Sequence, residues 1–383
     1  MKDIAREVSR GRMTRRQFML RAAAAGLSAG AAAALLAACG GGANSSSASP
    51  SALDTAKPEN LYLYNWQNEI APENKTKFEQ ETGISIVETY YDDNEMLIAK
   101  LKGGAKGYDL IVPSGYAVSI LAKSGLLEPL DMSLIPGFTN LNAKFQKPAY
   151  DPGTDGKKYS VPWLWGTAGI AMRIDKGGNA AVDMTAPSWQ ALWDERHKGE
   201  IDMLNDERET IGAALKLLGF SLNSTDQGEL DQATQKLIAQ KPLVRAYDSL
   251  NMKRNIVAGV PLVHTWNGDA SLAADALGAD KVFYGLPTEG YTIWVDNLAI
   301  PVGAPSPYWA HMFIDFMCQP QNAADLVNYV QYLSPNEAAT PYVDEKILDS
   351  TPKGEVLARG EFQDDLGAFE TQWGQAWQQV KSA

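Results

Sequence analysis

An α/β fold is predicted by three features of this 383-residue sequence. Short runs of β-forming residues alternate with helical patterns, starting with a strand at 61–64 and a helix at 72–82. Gly83 and Gly125 follow the predicted helices 72–82 and 116–124, as is typical of helix C-termini. The composition, 45% hydrophobic and 21% charged, is that of an ordinary globular protein. Strands that alternate with helices indicate parallel pairing through right-handed crossovers.

The first half of the body alternates regularly between strand and helix. Its predicted strands are 61–64, 84–87 and 108–112, and its predicted helices are 72–82, 95–102 and 116–124. Parallel sheets bind ligands outside the carboxyl ends of their strands. The loops 65–67 and 113–116, which are polar and aromatic, follow two of these strands. We therefore expect a binding site there.

A second α/β stretch follows residues 163–166. Its predicted strands are 169–173, 263–265, 282–285 and 292–300. One predicted helix starts at Ser188, and the others span 210–218, 232–239, 269–277, 307–317 and 322–330. The length is sufficient for one large or two medium domains.

The chain is acidic, with a formal net charge of −12. Residues 1–38 hold seven basic and two acidic groups, which leaves a net −17 on the remainder. Binding to nucleic acid requires a basic field, so no nucleic acid partner is expected. An anionic body attracts cationic solutes instead, although solubility alone also explains such a charge.

An export signal is predicted for residues 1–38. Its basic part contains Arg15-Arg16 before Phe18 and resembles a twin-arginine signal. Residues 36–39 (LAAC) resemble a lipobox, which implies cleavage before Cys39 and its lipidation. The Gly/Ser/Ala-rich residues 39–57 then form a flexible tether that anchors the protein to a membrane.

Sequence signatures of catalysis and metal binding are missing from the chain. It has no G-x-S-x-G, H-E-x-x-H or P-loop motif. Its three histidines, His197, His264 and His311, lie far apart, so we expect surface or hydrogen-bonded structural roles for them. Cys318 is predicted to be a buried, inert thiol. No enzyme activity, catalytic residue, metal or cofactor is expected.

Aromatic and acidic residues recur together at strand ends and helix starts. The pairs and neighbours are Trp66, Ser114 with Tyr116, Asp206 with Glu209, Trp266 with Asp269, and Trp294 with Asp296. Carboxylates balance ammonium groups, and indole faces attract cations and cover methylene chains. Each Trp can equally be a core residue and each Asp an N-cap. Their repetition favours a linear polycationic ligand.

Residues 58–383 resemble the polyamine-binding (spermidine/putrescine) proteins of ABC importers. The resemblance rests on residues 61–66 (LYLYNW), 78–84 (FEQETGI), 108–114 (YDLIVPS), 159–166 (YSVPWLWG) and 294–301 (WVDNLAIP). It implies a two-lobed type 2 periplasmic binding protein with a hinge and an interlobe ligand cleft. The implied lobes are 58–166 with 295–340, and 167–294 with 341–383.

The resemblance also implies a set of ligand-binding residues. They are Trp66, Ser114, Tyr116, Asp206, Glu209, Trp266, Asp269, Trp294, Asp296, Tyr332 and Gln363. Family members usually carry an acid two residues after the first-loop Trp and an aromatic residue at the third, where this chain has Asn68 and Glu69. Either Asn68 binds one ligand end through neutral hydrogen bonds, which favours a short diamine, or the loop shifts and Glu69 reaches the ligand.

The function implied by this resemblance is extracytoplasmic capture of putrescine or spermidine by a monomeric lipoprotein, which delivers the ligand to an ABC permease. Three alternatives remain at this point. They are the same fold with iron or a sugar as ligand, an extracytoplasmic enzyme, and an adhesive surface lipoprotein. Iron would need clustered Tyr or His ligands, which the motifs do not supply.

Overall fold

The structure, a computed structural model, describes residues 53–153, 156–178 and 183–383. The predicted signal peptide, the lipidated Cys39 and most of the tether lie outside the described residues. Within the described ranges, no helix is both long and apolar enough to cross a membrane.

The strands confirm the predicted alternation and add three short strands. They are β1 (Asn60–Asn65), β2 (Ser85–Tyr90), β3 (Leu110–Ile111), β4 (Ser160–Arg173), β5 (Ile201–Met203), β6 (Val244–Tyr247), β7 (Leu262–Trp266), β8 (Val282–Gly285), β9 (Tyr291–Ala299) and β10 (Gly360–Phe362). The sequence missed β5, β6 and β10, which have only three or four residues each. Such short runs carry no readable two-residue period.

The α-helices keep the predicted order, but the sequence missed four of them, at 252–258, 345–350, 354–358 and 370–382. The helices are α1 (Pro72–Thr82), α2 (Asn94–Lys102), α3 (Gly115–Lys123), α4 (Glu207–Leu217), α5 (Gln227–Gln240), α6 (Met252–Ala258), α7 (Asn267–Leu277), α8 (Pro307–Met317), α9 (Pro320–Val330), α10 (Glu345–Ser350), α11 (Gly354–Ala358) and α12 (Glu370–Ser382). The helix predicted from Ser188 is wrong in type, because Trp189–Trp193 forms a 3₁₀ turn. Ser188 does cap this turn by accepting a hydrogen bond from the Gln190 N–H.

The strands form one hydrogen-bonded path with the order β2-β1-β3-β9-β4-β7-β5-β6. β1, β2 and β3 are parallel, as are β5, β6 and β7. The expectation of parallel pairing is wrong for β9, which runs antiparallel to β3 and β4, and for β4, which also runs antiparallel to β7 and β8. The alternation of strands and helices does not predict the direction of β9, because β9 pairs with β3 from a distant part of the chain.

Strand β4 belongs to both halves of this path. Its residues 160–167 pair with β9, and its residues 168–173 pair with β7 and β8. At the changeover, a Cβ on Gly166 would lie 2.3 Å from Trp294 Cζ2, so only glycine fits beside this indole. The strand is buried along its whole length, and as one continuous segment it joins the part of the sheet that contains β9 to the part that contains β7.

The carboxyl ends of the parallel strands mark the position of the site. The loops that follow β1, β2, β3 and β5 begin at Trp66, Tyr91, Val112 and Leu204, and β7 passes directly from Trp266 into α7. Each of these segments leads into a helix. The prediction that the site lies outside these strand ends is consistent with the cavity described next.

Candidate functional site

A cavity of about 460 Å³ lies at these strand ends. Such a volume is typical of pockets for small molecules. Twelve of the thirteen ligand-binding residues expected from the sequence line it: Trp66, Asn68, Glu69, Ser114, Asp206, Glu209, Trp266, Asp269, Trp294, Asp296, Tyr332 and Gln363.

Tyr116 is the expected site residue that does not line the cavity. It is only 1% exposed, and its hydroxyl donates to Glu95 Oε1 at 2.8 Å. The Arg208 guanidinium lies 4.5 Å from the centre of its ring. Tyr116 therefore packs behind the cavity wall instead of facing a ligand.

Asp296 and Glu69 form a carboxyl pair in the cavity. Asp296 accepts a hydrogen bond from Ser114 Oγ at 2.5 Å, and Asn94 Nδ2 donates to the same Ser114 oxygen at 3.0 Å. Burial raises the pKa of Asp296 to about 7. Burial also raises the pKa of Glu69 well above its usual value, and the adjacent Asp296 charge adds to this effect. With no cation bound, burial therefore favours the protonated form of both groups.

A left-handed turn in the first loop directs Glu69 into the cavity. Asn68 has a φ of 65° and is exposed, whereas Glu69 is 7% exposed. Asparagine tolerates this backbone region better than most residues. The geometry agrees with the second of the two alternatives for this loop, because the acid is the residue that contacts Asp296.

A second acidic pair stands at the start of α4. Asp206 caps the helix by accepting from the Glu209 N–H at 2.9 Å, and Gln363 Nε2 donates to Glu209 Oε1 at 3.3 Å. The other oxygen of Glu209 is buried and accepts no hydrogen bond from the part of the chain that the structure describes. Burial is the main cause that raises the pKa of Asp206 to about 6 and that of Glu209 to about 8. An ammonium group would satisfy the unpaired oxygen.

Asp269 supplies a fifth carboxyl group on another side of the cavity. It lies in the first turn of α7 and accepts from the Lys253 N–H at 3.3 Å. Burial raises its pKa to about 6. Lys253 and Arg254 also line the cavity, so cations are present at its edge but do not form ion pairs with the five carboxyl groups within the described ranges.

Aromatic rings form two walls of the cavity. The Trp66 ring lies 4.6 Å from Tyr91, and its Nε1 donates to the Val112 carbonyl at 3.0 Å. Trp294 meets Tyr332 edge to face at 4.7 Å. Both pairs present ring surface beside carboxyl groups, which is the arrangement that binds alkylammonium chains.

Sequence reasoning missed several lining residues. Tyr91 follows β2 directly, Asn94 begins α2, and Tyr329 comes from the end of α9. The rule about strand ends could have identified the first two, since β2 is parallel to β1 and ends at the same edge. Nothing in the sequence indicates the contribution of α9.

The histidines lie outside the cavity lining, but one expectation about them is wrong. His197 and His311 have polar partners, in Glu200 and the Pro307 carbonyl. His264 is fully buried on β7, and neither ring nitrogen has a hydrogen-bond partner. Burial lowers its pKa to about 3, so it is neutral in the folded protein. Cys318 is buried as predicted, and burial raises its pKa.

A two-sheet α/β fold with an acidic and aromatic cleft is characteristic of solute-binding proteins. The profile of the family described as bacterial extracellular solute-binding protein matches residues 75–352. The spermidine/putrescine-binding periplasmic protein of Escherichia coli (strain K12) is 34% identical over 337 residues, which cover 87% of this chain and 94% of that protein. The chain therefore belongs to this extracytoplasmic solute-binding family.

Solved structures agree on the fold. A Listeria monocytogenes protein described as a candidate spermidine/putrescine ABC transporter is 33% identical and has a TM-score of 0.79, covering 85% of this chain and 99% of that one. The Tp0655 lipoprotein of Treponema pallidum is 31% identical and has a TM-score of 0.71, covering 84% of this chain and 99% of that one. The expected two-lobed periplasmic binding protein fold is confirmed.

Proposed function

We propose that this protein captures a polyamine, putrescine or spermidine, outside the cytoplasm and delivers it to an ABC-type permease. The observation that supports this most strongly is the set of carboxyl groups that line one cavity, among them Glu69, Asp206, Glu209, Asp269 and Asp296. Within the described ranges, none of these five forms an ion pair with a cationic side chain. Buried carboxylates need counter-charges, and a flexible polycation supplies several at once.

The aromatic walls of the cavity also support a polyamine ligand. Trp66 and Trp294 line the same cavity as the carboxyl groups. Methylene segments between amines pack on ring faces, while the ammonium groups reach the acids. A neutral sugar would leave the buried carboxyl groups of the cavity without counter-charges. Among the described residues no histidine lines it, and burial raises the pKa of the lining tyrosines Tyr91 and Tyr332, which disfavours the phenolate form that would bind iron.

Glu69 bears on the choice of polyamine. The expectation of a short diamine rested on Asn68 as the group that holds one ligand end. Glu69 is buried beside Asp296, and within the described residues its Oε2 accepts no hydrogen bond, while Asp296 Oδ1 accepts from Ser114. Two carboxyl groups at one position favour an ammonium group with at least two N–H donors directed into the cavity.

We propose two lobes that close on this ligand, 58–166 with 295–340 and 167–294 with 341–383. The change of partner strand along β4, at residues 167 and 168, supports the first crossover between them. The carboxyl pair Glu69 and Asp296 then belongs to lobe 1, whereas Asp206, Glu209 and Asp269 belong to lobe 2. A polycation that contacts both sets stabilises closure.

Thermal unfolding in the presence of candidate ligands tests the proposed function. Putrescine, cadaverine, spermidine and spermine are compared with amino acids, sugars and Fe³⁺. A ligand at 100 times its Kd stabilises the fold by about 2.7 kcal/mol, which gives a clear rise in melting temperature. A rise with amines alone is expected. No rise with any amine at millimolar concentration would refute the proposal.

We also propose that a twin-arginine signal exports the protein and that Cys39 carries the lipid anchor. The sequence pattern at 15–18 and 36–39 supports this. Arg15→Lys with Arg16→Lys should leave the precursor in the cytoplasm. Metabolic labelling with a fatty-acid analogue should mark the wild type but not Cys39→Ser. A wild type that takes up no label would exclude the anchor.

A further inference from the structure

Two cationic side chains line the same cavity as the carboxyl groups. Lys253 and Arg254 lie in the first turn of α6, and both are exposed. By contrast, Glu209 and Asp296 are only 3% and 4% exposed. Within the described ranges, neither cationic side chain forms an ion pair. The two positive charges therefore lie at the open edge of an acidic cavity, where they act on a ligand.

The local structure of α6 does not account for these two cations. Backbone N–H groups in the first turn of a helix stabilise acidic side chains and disfavour basic ones. The preceding loop carries one acid, Asp248, which accepts hydrogen bonds from the backbone N–H groups of Leu250 and Asn251. Helix stability therefore gives no reason for a lysine and an arginine at this position, whereas the cavity that they line does.

Lys253 acts directly on one carboxyl group of the cavity. Its backbone N–H donates to Asp269 Oδ1 at 3.3 Å. Burial raises the pKa of Asp269 to about 6, and the N–H group and positive charge of Lys253 oppose this rise. Part of the negative charge of Asp269 is therefore already offset by the protein. Less of it remains to attract an ammonium group of the ligand.

The remaining carboxyl groups favour a ligand with two ammonium groups. The carboxyl pair that contains Asp296 and the acidic pair that contains Glu209 each offer a position for one ammonium group. A third ammonium group would depend on Asp92 or Asp269, which also line the cavity. Asp92 is only half-buried, so water weakens its attraction for a cation. Asp269 lies beside Lys253, so a third ammonium group there meets a like charge.

We propose that Lys253 and Arg254 determine which polyamine length the site accepts, by repelling an ammonium group at the edge of the cavity. Like charges brought together in a binding site cost free energy and exclude the wrong ligand. Putrescine has no third ammonium group to bring toward this edge, whereas spermidine has one. The preferred ligand class is therefore a diamine. This inference rests on the proposed function and deepens it.

The repulsion must depend on salt, because both cations are exposed. Charges in water interact over about 30 Å at 0.01 M ionic strength and over about 3 Å at 1 M. The preference for a diamine should therefore be largest in dilute buffer and decrease as NaCl is added. This dependence tests the proposal in the wild-type protein without any substitution.

Calorimetry of putrescine, cadaverine and spermidine measures the preference. At low ionic strength, the wild type should bind both diamines more tightly than spermidine. Lys253→Gln combined with Arg254→Gln should lower the Kd of spermidine by about fivefold or more and that of putrescine by about twofold or less. Added NaCl should then change the ratio of the two Kd values in the wild type but scarcely in this variant.

Two further variants separate charge from structure. Lys253→Arg combined with Arg254→Lys keeps both positive charges and should keep the wild-type ratio of Kd values. Lys106→Gln combined with Lys198→Gln is the matched control, because it removes two exposed lysine charges that are not among the described residues lining the cavity. It should also keep the wild-type ratio. The melting temperature of each variant reports whether it is folded.

Three results would overturn the proposal. The first is an unchanged ratio of Kd values in the double glutamine variant, and the second is a wild type that prefers spermidine at low ionic strength. The third is tighter binding of 4-aminobutyrate than of putrescine, since the two cations would then bind a carboxylate. Amines that fail to bind at all would contradict the proposed function itself. Amines that bind without regard to length would leave that function intact and remove only the role of the two cations.

Discussion

Replacing Asp296 by Asn should weaken polyamine binding and at the same time stabilise the unliganded protein. The carboxyl group is 4% exposed and lies beside Glu69, with Ser114 as its hydrogen-bond donor. Its ionised form is therefore poorly stabilised without ligand. An ammonium group of the polyamine would supply the missing counter-charge, so the binding role and the stability cost have one physical origin.

The size of both effects follows from the raised pKa. The difference between 3.8 and about 7 corresponds to about 4 kcal/mol against the ionised form. Since the folded pKa is above the unfolded one, the stability from the protonated group is complete below about pH 4 and is lost as the pH rises through 7. Asn avoids this loss, so we expect the unfolding free energy at pH 8 to rise by about 1–4 kcal/mol. Binding should weaken by about 2–5 kcal/mol.

Urea unfolding at pH 5 and pH 8, with calorimetry of putrescine and spermidine, measures both effects. Asp109→Asn is the matched control. Asp109 is also fully buried, but it accepts hydrogen bonds from the backbone N–H groups of Tyr62 and Ser306, outside the cavity. This variant should lose stability and keep its affinity. An Asp296→Asn protein that binds as tightly as wild type, or that is less stable at pH 8, would refute the reasoning.

Other features of the cavity and core give three further predictions. Glu69→Gln should weaken polyamine binding at least tenfold by calorimetry, whereas Asn68→Asp should change it by only about 1 kcal/mol; a larger effect at position 68 would contradict the observed turn. Polyamine binding at pH 7 should release protons, because an ammonium ligand ionises carboxyl groups with a raised pKa such as Glu209 (about 8). The binding enthalpy should then differ between phosphate and Tris buffers, and equal enthalpies would disprove proton release. His264→Leu should raise the unfolding free energy by about 1–3 kcal/mol, because it removes two unpartnered nitrogens. Since the folded pKa of His264 is lowered to about 3, its contribution to stability is present above pH 6.5 and is lost as the pH falls toward 3. The leucine variant should lack that part of the acid sensitivity in pH-dependent melting, and an unchanged profile would contradict the assignment.

The sequence predicts the elements that carry local signals. Helix α1 has its predicted bounds, with Pro72 at the start and Gly83 in the left-handed conformation at the end. The antiparallel position of β9 could not be predicted, since its partner Ile111 is set by the closure of the whole sheet and not by neighbouring residues. The resemblance identified Trp66 and Asp296, which the structure brings to one cavity.

The limits of prediction at the site have physical causes as well. Residue spacing alone left Asn68 and Glu69 as alternatives, because the choice depends on one positive φ angle. Tyr116 was expected in the site from its position after β3. The first turn of α3 instead directs its ring behind the wall, toward Glu95 and Arg208.

Strand β9 has a consequence for how the protein reaches its working state. It pairs with β3, β4 and β10, and the hydrogen bond between Ser114 and Asp296 joins residues 182 positions apart. Pairing over such sequence separations slows folding, because a long loop must close first. The ribosome must therefore make almost the whole chain before the cavity can form. A chain truncated before residue 291 would lack the central carboxyl group, so amine binding reports that the complete protein has folded.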